Sequence, residues 1–374
     1  MYIASTRYEA IIDAVGAMER AADDVVMLML GEHNRPDIKR LVDELNRHGI
    51  PFFGGIFPGV IDGQEKFESG AVLTTLPALE KPFLIKDLTS QPTDFQDFGA
   101  AVATRNDRKH TAIVLVDGLA ANIALFLSEM FNRFGNSINY LGGGAGSLSL
   151  KQEPCLITPE GIFQDAAIVT FLKQECRLGV RHGWEKIADP VIATKTHKNI
   201  IQELNWKNAF DVYRHTVEAD AGKTLTGENF FTIAKGYPFG IIKEAMEDIV
   251  RDPIAVNDRG ELICVGEVPE NTVLSILEGY TDSLILAAGQ AADDCLQAGA
   301  GAIDRCLMVD CISRVIFLEQ DYARELEQVN HRLRSIGMDQ GPVGMLTLGE
   351  ISSYGDGFVE FFNKTIVVGV FYRN

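Results

Sequence analysis

The side chains best suited to hold a small charged ligand lie just after apolar runs of the chain. Arg314 carries a planar guanidinium that matches a carboxylate through two parallel hydrogen bonds. Asp310 and Glu350 could meet an ammonium group, and Gly142–Gly144 would let a ligand approach the backbone closely. These residue types predict an anion clamp for an amino acid or another small acid. An ion pair between Arg314 and an acid of the chain itself is the open alternative.

Among the seven histidines, His182 has the surroundings most typical of a ligand-binding imidazole. It ends an alternating, strand-like run and is followed by Gly183, which relieves crowding, and by Trp184, which offers a large planar ring. His33, after the first apolar run, and His197 are the next candidates. For each of them the alternative is a structural histidine whose ring is hydrogen-bonded within the fold.

A reactive thiol is the third kind of chemistry that the sequence suggests. Cys311 lies three residues before Arg314, and a neighbouring guanidinium lowers a thiol pKa. The alternative is a core cysteine at a strand end. Among motifs with known chemistry, CxxC, HExxH, GxSxG and CxxCH are all absent. GGGAGS at 142–147 does not fit GxGxxG, and the GKT run at 222–224 has Val217 where a phosphate loop needs glycine.

Three stretches of the chain share one pattern that positions these residues. Each is an apolar run followed by an amphipathic helical stretch and a second apolar run, and the first runs are Val25–Leu30, Ala112–Asp117 and Cys306–Cys311. Because these runs are apolar on both faces, they are predicted to be interior strands. In strand–helix–strand units, binding groups collect where strands end. The predicted site therefore combines Gly31–His33, Asp117–Gly118, Gly142–Ser147 and Asp310–Arg314, and Arg314 and Gly142–Gly144 should border one concave site.

The rest of the chain reads as antiparallel strands. Leu156–Trp184 alternates like a meander, and Asn257–Gly260 is the turn of a predicted hairpin. A turn and a helix start are predicted at Ser90–Gly99. The predicted fold class is α/β (mixed α+β): two α/β modules with mixed sheets, built from strand–helix–strand units plus antiparallel meanders.

Charge and hydropathy limit the partners. The 374 residues carry 34 Lys+Arg against 52 Asp+Glu, a formal net charge of −18. Such a surface repels the phosphate backbone of nucleic acids and anionic lipid. No apolar run approaches the length of a membrane span, and the scattered cysteines are typical of a reducing compartment. We therefore predict a cytoplasmic protein without nucleic-acid or membrane partners, with homo-oligomerisation left open.

Several short strings occur in an order that resembles the FIST family, named for F-box and intracellular signal transduction proteins. The resemblance covers essentially the whole chain, with an N-terminal FIST domain at 24–205 and a C-terminal one at 206–365. The strings are GGGAGS (142–147), HGW (182–184), ELNWKNAFDVYR (203–214), YPFGI (237–241), VRDP (250–253), DCISR (310–314), LGE (348–350) and the pair Asn363 and Thr365.

The resemblance implies a non-enzymatic sensor that binds a small ligand and signals to a histidine kinase or a cyclic-di-GMP enzyme. One branch of similar proteins contains nitric-oxide-sensing haemoproteins, so the resemblance implies haem b as a candidate cofactor. If haem is bound, His182 is the predicted iron ligand. A haem-free sensor of an amino acid or small acid, held by Arg314, Asp310, Cys311, Gly142–Gly144 and Glu350, is the alternative. An enzyme that uses Cys311 is a further alternative.

Overall fold

The structure is a computed structural model that describes residues 1–90, 99, 110–243, 247–296, 303–338, 340–353 and 358–373. Strands occupy more of these ranges than helices, and the sheets combine parallel and antiparallel neighbours. The predicted mixed α/β class is therefore confirmed. Within these ranges no helix has the length and apolar character needed to cross a membrane. The turn and helix start predicted at Ser90–Gly99 lie outside the described residues, apart from the two end positions.

Two of the described helices begin at a residue whose side chain caps the helix. Asp37 accepts the backbone N–H of Arg40 at the start of the second helix, and Asn208 caps the fourth in the same way. The fourth helix ends at Gly222, whose φ of 62° is strained for other residues, so the GKT run is a helix end. The described helices are α1 (Tyr8–Ala17), α2 (Ile38–Arg47), α3 (Ile123–Phe134), α4 (Ala209–Ala221), α5 (Phe230–Ala234), α6 (Thr281–Cys295), α7 (Ile312–Leu318) and α8 (Tyr322–Ser335).

Within the ranges that the structure describes, the strands form four sheets. Those of the first half are β1 (Tyr2–Ile3), β2 (Asp24–Gly31), β3 (Phe52–Phe57), β4 (Gly59–Asp62), β5 (Glu65–Phe67), β6 (Ala71–Pro77), β7 (Phe83–Lys86), β8 (His110–Asp117), β9 (Ile138–Ala145), β10 (Leu156–Thr158), β11 (Gly161–Phe163), β12 (Ala166–Leu172) and β13 (Cys176–Arg181). Those of the second half are β14 (Glu185–Lys186), β15 (Val191–His197), β16 (Ile200–Leu204), β17 (Lys207–Asn208), β18 (Phe239–Ile241), β19 (Ile249–Val256), β20 (Leu262–Val265), β21 (Thr272–Glu278), β22 (Ile303–Cys311), β23 (Val343–Thr347), β24 (Glu350–Ser353), β25 (Val359–Phe362) and β26 (Ile366–Tyr372).

Each of the three predicted units is a parallel strand pair joined by helix. The units are β2–α2–β3, β8–α3–β9 and β22–α7–α8–β23. The first strand of each lies between two hydrogen-bonded neighbours, and every residue of Val25–Leu30, Ala112–Asp117 and Cys306–Cys311 is buried. The prediction of interior strands is confirmed for all three units, because strands that are apolar on both faces are stable only where both faces are covered.

The sheets exchange strands between the two halves of the chain. The sheet of the third unit has the order β13-β26-β22-β23-β4-β5, so β4, β5 and β13 come from the first half. Conversely, β24 and β25 complete the sheet of the second unit, where Glu350 pairs with Gly143. The two halves therefore share their hydrogen-bond ladders, and their strand ends meet.

Of the two predicted antiparallel segments, the structure confirms one and contradicts the other. The hairpin at Asn257–Gly260 is confirmed, because β19 and β20 pair with Val256 opposite Leu262. The single meander predicted at Leu156–Trp184 is wrong: β10 pairs with β11, but β12 joins β8 and β7, and β13 joins β26. Alternation indicates that a segment is a strand, but the choice of neighbour depends on the whole fold.

Candidate functional site

A cavity of about 670 Å³ opens where the ends of β8 and β22 meet β19 and β20. Its volume lies in the range of small-molecule sites, about 300–1,000 Å³. Strand ends of parallel units commonly form such sites. The residues that line it are Gly118, Leu119, Ala120, Ala121, Asn122, Ile123, Ala124, Leu148, Leu150, Lys198, Asn199, Phe231, Arg251, Asp252, Ile254, Cys264, Val265, Gly266, Glu267, Cys311, Ile312, Ser313, Ile316, Leu348, Phe361 and Asn363.

Arg251 is the buried cation of this cavity. Its side chain belongs to β19 and the residue is only 6% exposed. Nε donates to the Glu267 carbonyl at 2.8 Å, and Nη1 donates to the carbonyls of Val250 and Phe361 and lies 3.4 Å from Asn363 Oδ1. No carboxylate of the described residues lies within ion-pair distance of this guanidinium. Neutral acceptors therefore orient the group, and no carboxylate of the described residues pairs with its charge.

Asp252 follows Arg251 and is paired differently. Its Oδ2 lies 3.2 Å from Lys364 Nζ, and both residues are almost fully buried. Lys364 also donates to the Lys235 carbonyl and lies over the Trp184 ring. The other oxygen, Asp252 Oδ1, is buried without a hydrogen-bond partner among the described residues. One wall of the cavity therefore combines an unpaired cation with an acceptor that has unused capacity.

Burial shifts the pKa values of this wall. Removal from water lowers the pKa of Arg251 to about 10, although the more distant charges of Glu360 and Glu267 act in the opposite direction. Burial also raises the pKa of the Asp252 carboxyl, and the charge of Lys364 opposes this rise. Arg251 is still protonated at neutral pH, and an anion beside it would offset the cost of its burial.

Cys311 lines the cavity beside a second buried acid. Glu350 is fully buried and accepts hydrogen bonds from the Thr347 hydroxyl and the Thr365 backbone N–H. Burial raises the pKa of Glu350 to about 8. Burial, and then the charge of Glu350, raise the pKa of the Cys311 thiol well above its usual value. Cys311 is therefore a protonated thiol at neutral pH and a poor nucleophile.

Comparison with protein families assigns both halves of the chain. The FIST N domain matches residues 24–207 and the FIST C domain matches residues 209–353. The chain belongs to the FIST family. Its domains are signal-transduction sensor domains that bind small ligands. A comparison with curated proteins found no match.

Both FIST domains contribute to the cavity. The FIST N residues are those that follow β8 and β9, together with Lys198 and Asn199. Arg251, Asp252 and the start of α7 come from FIST C. A ligand in this cavity would contact both domains, so its binding would change the stability of the contact between FIST N and FIST C.

Arg314 was predicted to border the concave site, but it does not line the cavity. It is fully buried, its Nε and Nη2 donate to Glu325 at 3.1 and 2.5 Å, and its remaining donors reach the carbonyls of His182, Lys364 and Leu284. The alternative of an internal ion pair describes this geometry. Every N–H of the guanidinium fork has a partner in the fold, so the predicted clamp at Arg314 is corrected.

The other predicted contact residues are also packed inside. Asp310 is fully buried, accepts the Tyr322 hydroxyl and lies 3.5 Å from Arg314. Gly142–Gly144 belong to β9, where a Cβ added at Gly142 would lie 1.8 Å from the Val114 carbonyl oxygen. The close approach that these glycines allow is between strands. Of the predicted ligand-binding residues, Cys311 lines the cavity, whereas Arg314, Asp310, Gly142–Gly144 and Glu350 do not.

His182 does not fit an axial haem ligand in this structure. Its Nδ1 accepts the backbone N–H of Trp184 at 2.9 Å, and its Nε2 lies 2.9 Å from Glu247 Oε2. Both ring nitrogens are thus engaged, and the residue is 8% exposed. His33 and His197 lie at exposed positions, and the cavity wall among the described residues contains no histidine. In the same part of the chain no cluster of three or more His, Cys, Asp or Glu could hold a metal ion.

The charged residues of the cavity wall, Arg251 and Asp252, are not among the site residues predicted from the sequence. Arg251 and Asp252 form the centre of the VRDP string, and Asn363 belongs to the last pair of the FIST resemblance. A signal was available, because Arg-Asp inside an otherwise apolar strand places charge where a core expects none. Lys364, beside them, is likewise a charged residue between apolar strands, where a core would have none.

Proposed function

We propose that this FIST protein is a sensor whose cavity binds a small organic acid through Arg251. The observation that carries the proposal is a buried, oriented arginine that lies at the wall of a ligand-sized cavity and has no carboxylate partner among the described residues. A ligand carboxylate would supply the missing charge and accept charge-assisted hydrogen bonds. Amino acids and simple acids share this carboxylate, and Asp252 Oδ1 is the acceptor available to a ligand ammonium.

The test is direct titration of carboxylates by calorimetry. Arg251→Gln should weaken binding by about 1.5–3 kcal/mol, the range for a hydrogen bond to a charged group. Arg259→Gln is the matched control, because Arg259 lies in the hairpin turn after the same strand and outside the cavity. Equal affinities in the wild type and Arg251→Gln would contradict the proposal, and so would an equal loss in both variants.

We further propose that a separate protein reads the bound state, a histidine kinase or a cyclic-di-GMP enzyme. The supporting observation is that both matched domains, 24–207 and 209–353, are sensor domains and that the cavity lies between them. The six cysteines are all free and buried, which supports a cytoplasmic location. The raised thiol pKa of Cys311 favours a sensor over a thiol enzyme.

Haem and nitric oxide remain the sharper prediction from the family resemblance, and the geometry of His182 does not favour them. An absorbance spectrum separates the two versions of the sensor. A Soret band in the purified or haem-titrated protein would support haem, and its loss in His182→Ala would support His182 as the ligand. A protein that stays colourless with added haem would reject this version.

A further inference from the structure

The cavity has one polar end and an extended apolar surface. Arg251, Asp252, Ser313 and Asn363 form the polar end, where Arg251 Nη1 reaches Asn363 Oδ1 at 3.4 Å. The charged residues Lys198 and Glu267 are exposed at the margin. The apolar lining is contributed by both domains and consists mainly of Leu119, Ile123, Leu148, Leu150, Phe231, Ile254, Val265, Ile312, Ile316, Leu348 and Phe361.

Three large apolar side chains of this lining are exposed. Leu148 is 43%, Leu150 52% and Phe231 41% exposed, although all three border the same cavity. Leu148 and Leu150 come from FIST N and Phe231 from FIST C. Exposed apolar groups that converge on one cavity mark a binding surface for an apolar body. An apolar ligand would remove them from water, which a small polar acid could not do.

We propose that the ligand of this cavity is an amphipathic monocarboxylate, with its carboxylate on Arg251 and a hydrophobic chain or ring along the apolar lining. This inference rests on the proposed function and adds the chemical class of the ligand. The carboxylate satisfies the uncompensated guanidinium, and the hydrophobic body covers the exposed side chains from both domains. Closure of the apolar rim over that body would couple ligand binding to the contact between FIST N and FIST C.

The test is a homologous series of probes: acetate, butanoate, hexanoate and octanoate, with octan-1-ol as the probe without a carboxylate. Each methylene buried in the cavity should raise affinity roughly fourfold, since its transfer from water contributes about 0.8 kcal/mol. Octan-1-ol should bind far more weakly than octanoate, because it cannot pair with Arg251. Titrations at constant pH and ionic strength give the affinities.

A matched pair of leucine variants locates the hydrophobic body. Leu150 and Leu125 are 52% and 50% exposed, but only Leu150 lines the cavity among the described residues. Leu150→Ala should weaken octanoate binding several-fold and leave acetate unchanged, whereas Leu125→Ala should change neither. Because both side chains are half exposed, neither substitution removes core packing.

The outcomes separate this inference from the proposed function. Arg251-dependent binding with the same affinity for acetate and octanoate would overturn the hydrophobic body and leave the carboxylate site standing. Chain-length dependence that is equal in Leu150→Ala and the wild type would also overturn it. No binding of any carboxylate, or binding that Arg251→Gln does not weaken, would overturn the proposed function itself.

Discussion

Replacing Arg314 separates a structural arginine from a ligand-binding one. Its guanidinium makes five hydrogen bonds, to both oxygens of Glu325 and to the carbonyls of His182, Lys364 and Leu284. These acceptors come from four separate parts of the chain. Arg314→Met keeps the bulk of the side chain but removes its charge and all of its donors. The variant therefore tests whether this ion pair holds the fold together.

The expected loss follows from the burial of both partners. Arg314 and Glu325 are 0% exposed, so the substitution leaves a buried carboxylate beside Asp310. Burial raises the pKa of Asp310, and repulsion from Glu325 raises it further, which shows how poorly this site tolerates a second negative charge. Removing one partner of a buried pair costs about 3–5 kcal/mol of unfolding free energy. Replacing Glu325 with Leu as well should recover about 1–3 kcal/mol of that loss.

Urea unfolding followed by tryptophan fluorescence measures this change. Trp184 is 4% exposed and its indole N–H donates to the Lys364 carbonyl, which also accepts from Arg314. Trp206 is 75% exposed, so a Trp206→Phe background isolates the signal from Trp184. Carboxylate titrations of folded Arg314→Met should give the affinity of the parent protein.

Three results would refute this reasoning. The first is an unfolding free energy within about 1 kcal/mol of the parent protein, the scale of an exposed ion pair. The second is an Arg314→Met protein that stays folded and loses carboxylate binding, which would restore Arg314 as the anion clamp. An equal loss in the Arg314→Met single variant and the double variant with Glu325→Leu would show that the two side chains do not act as a pair.

Three further predictions concern single sites. The folded pKa of Glu350 is raised to about 8, so its contribution to stability is full below about pH 4.5 and is lost as the pH rises to about 8. The loss is at most about 1.4 kcal/mol per pH unit. Glu350→Gln should flatten this fall in denaturation curves measured across pH. His182→Ala should lower the unfolding free energy by about 1–3 kcal/mol in urea titrations, because Glu247 and a backbone N–H lose a partner, and an unchanged value would contradict the observed hydrogen bonds. Gly142→Ala should lower the melting temperature, because its Cβ would lie 1.8 Å from a carbonyl oxygen, whereas Gly16→Ala in α1 meets nothing within 4 Å and should raise it slightly.

The sequence determined the local units of this protein. Val25–Leu30, Ala112–Asp117 and Cys306–Cys311 are interior strands because each is apolar on both faces, and that property is written in consecutive residues. The hairpin turn at Asn257–Gly260 was equally local, since its residue types favour a tight turn. Family membership could also be predicted, because the short strings and their order are visible in the sequence without any knowledge of contacts.

Only the tertiary structure decided which arginine lines the cavity. Arg251 and Arg314 both lie near apolar runs of the FIST C domain, and each had a plausible acid nearby in the sequence. Arg314 became structural because Glu325 and the His182 carbonyl, 132 residues away, fold around it. Arg251 became a cavity residue because β25 brings the Phe361 carbonyl to it across 110 residues, and no carboxylate of the described part of the chain pairs with it. Such pairings depend on how the two FIST domains exchange strands, and local periodicity carries no information about that exchange.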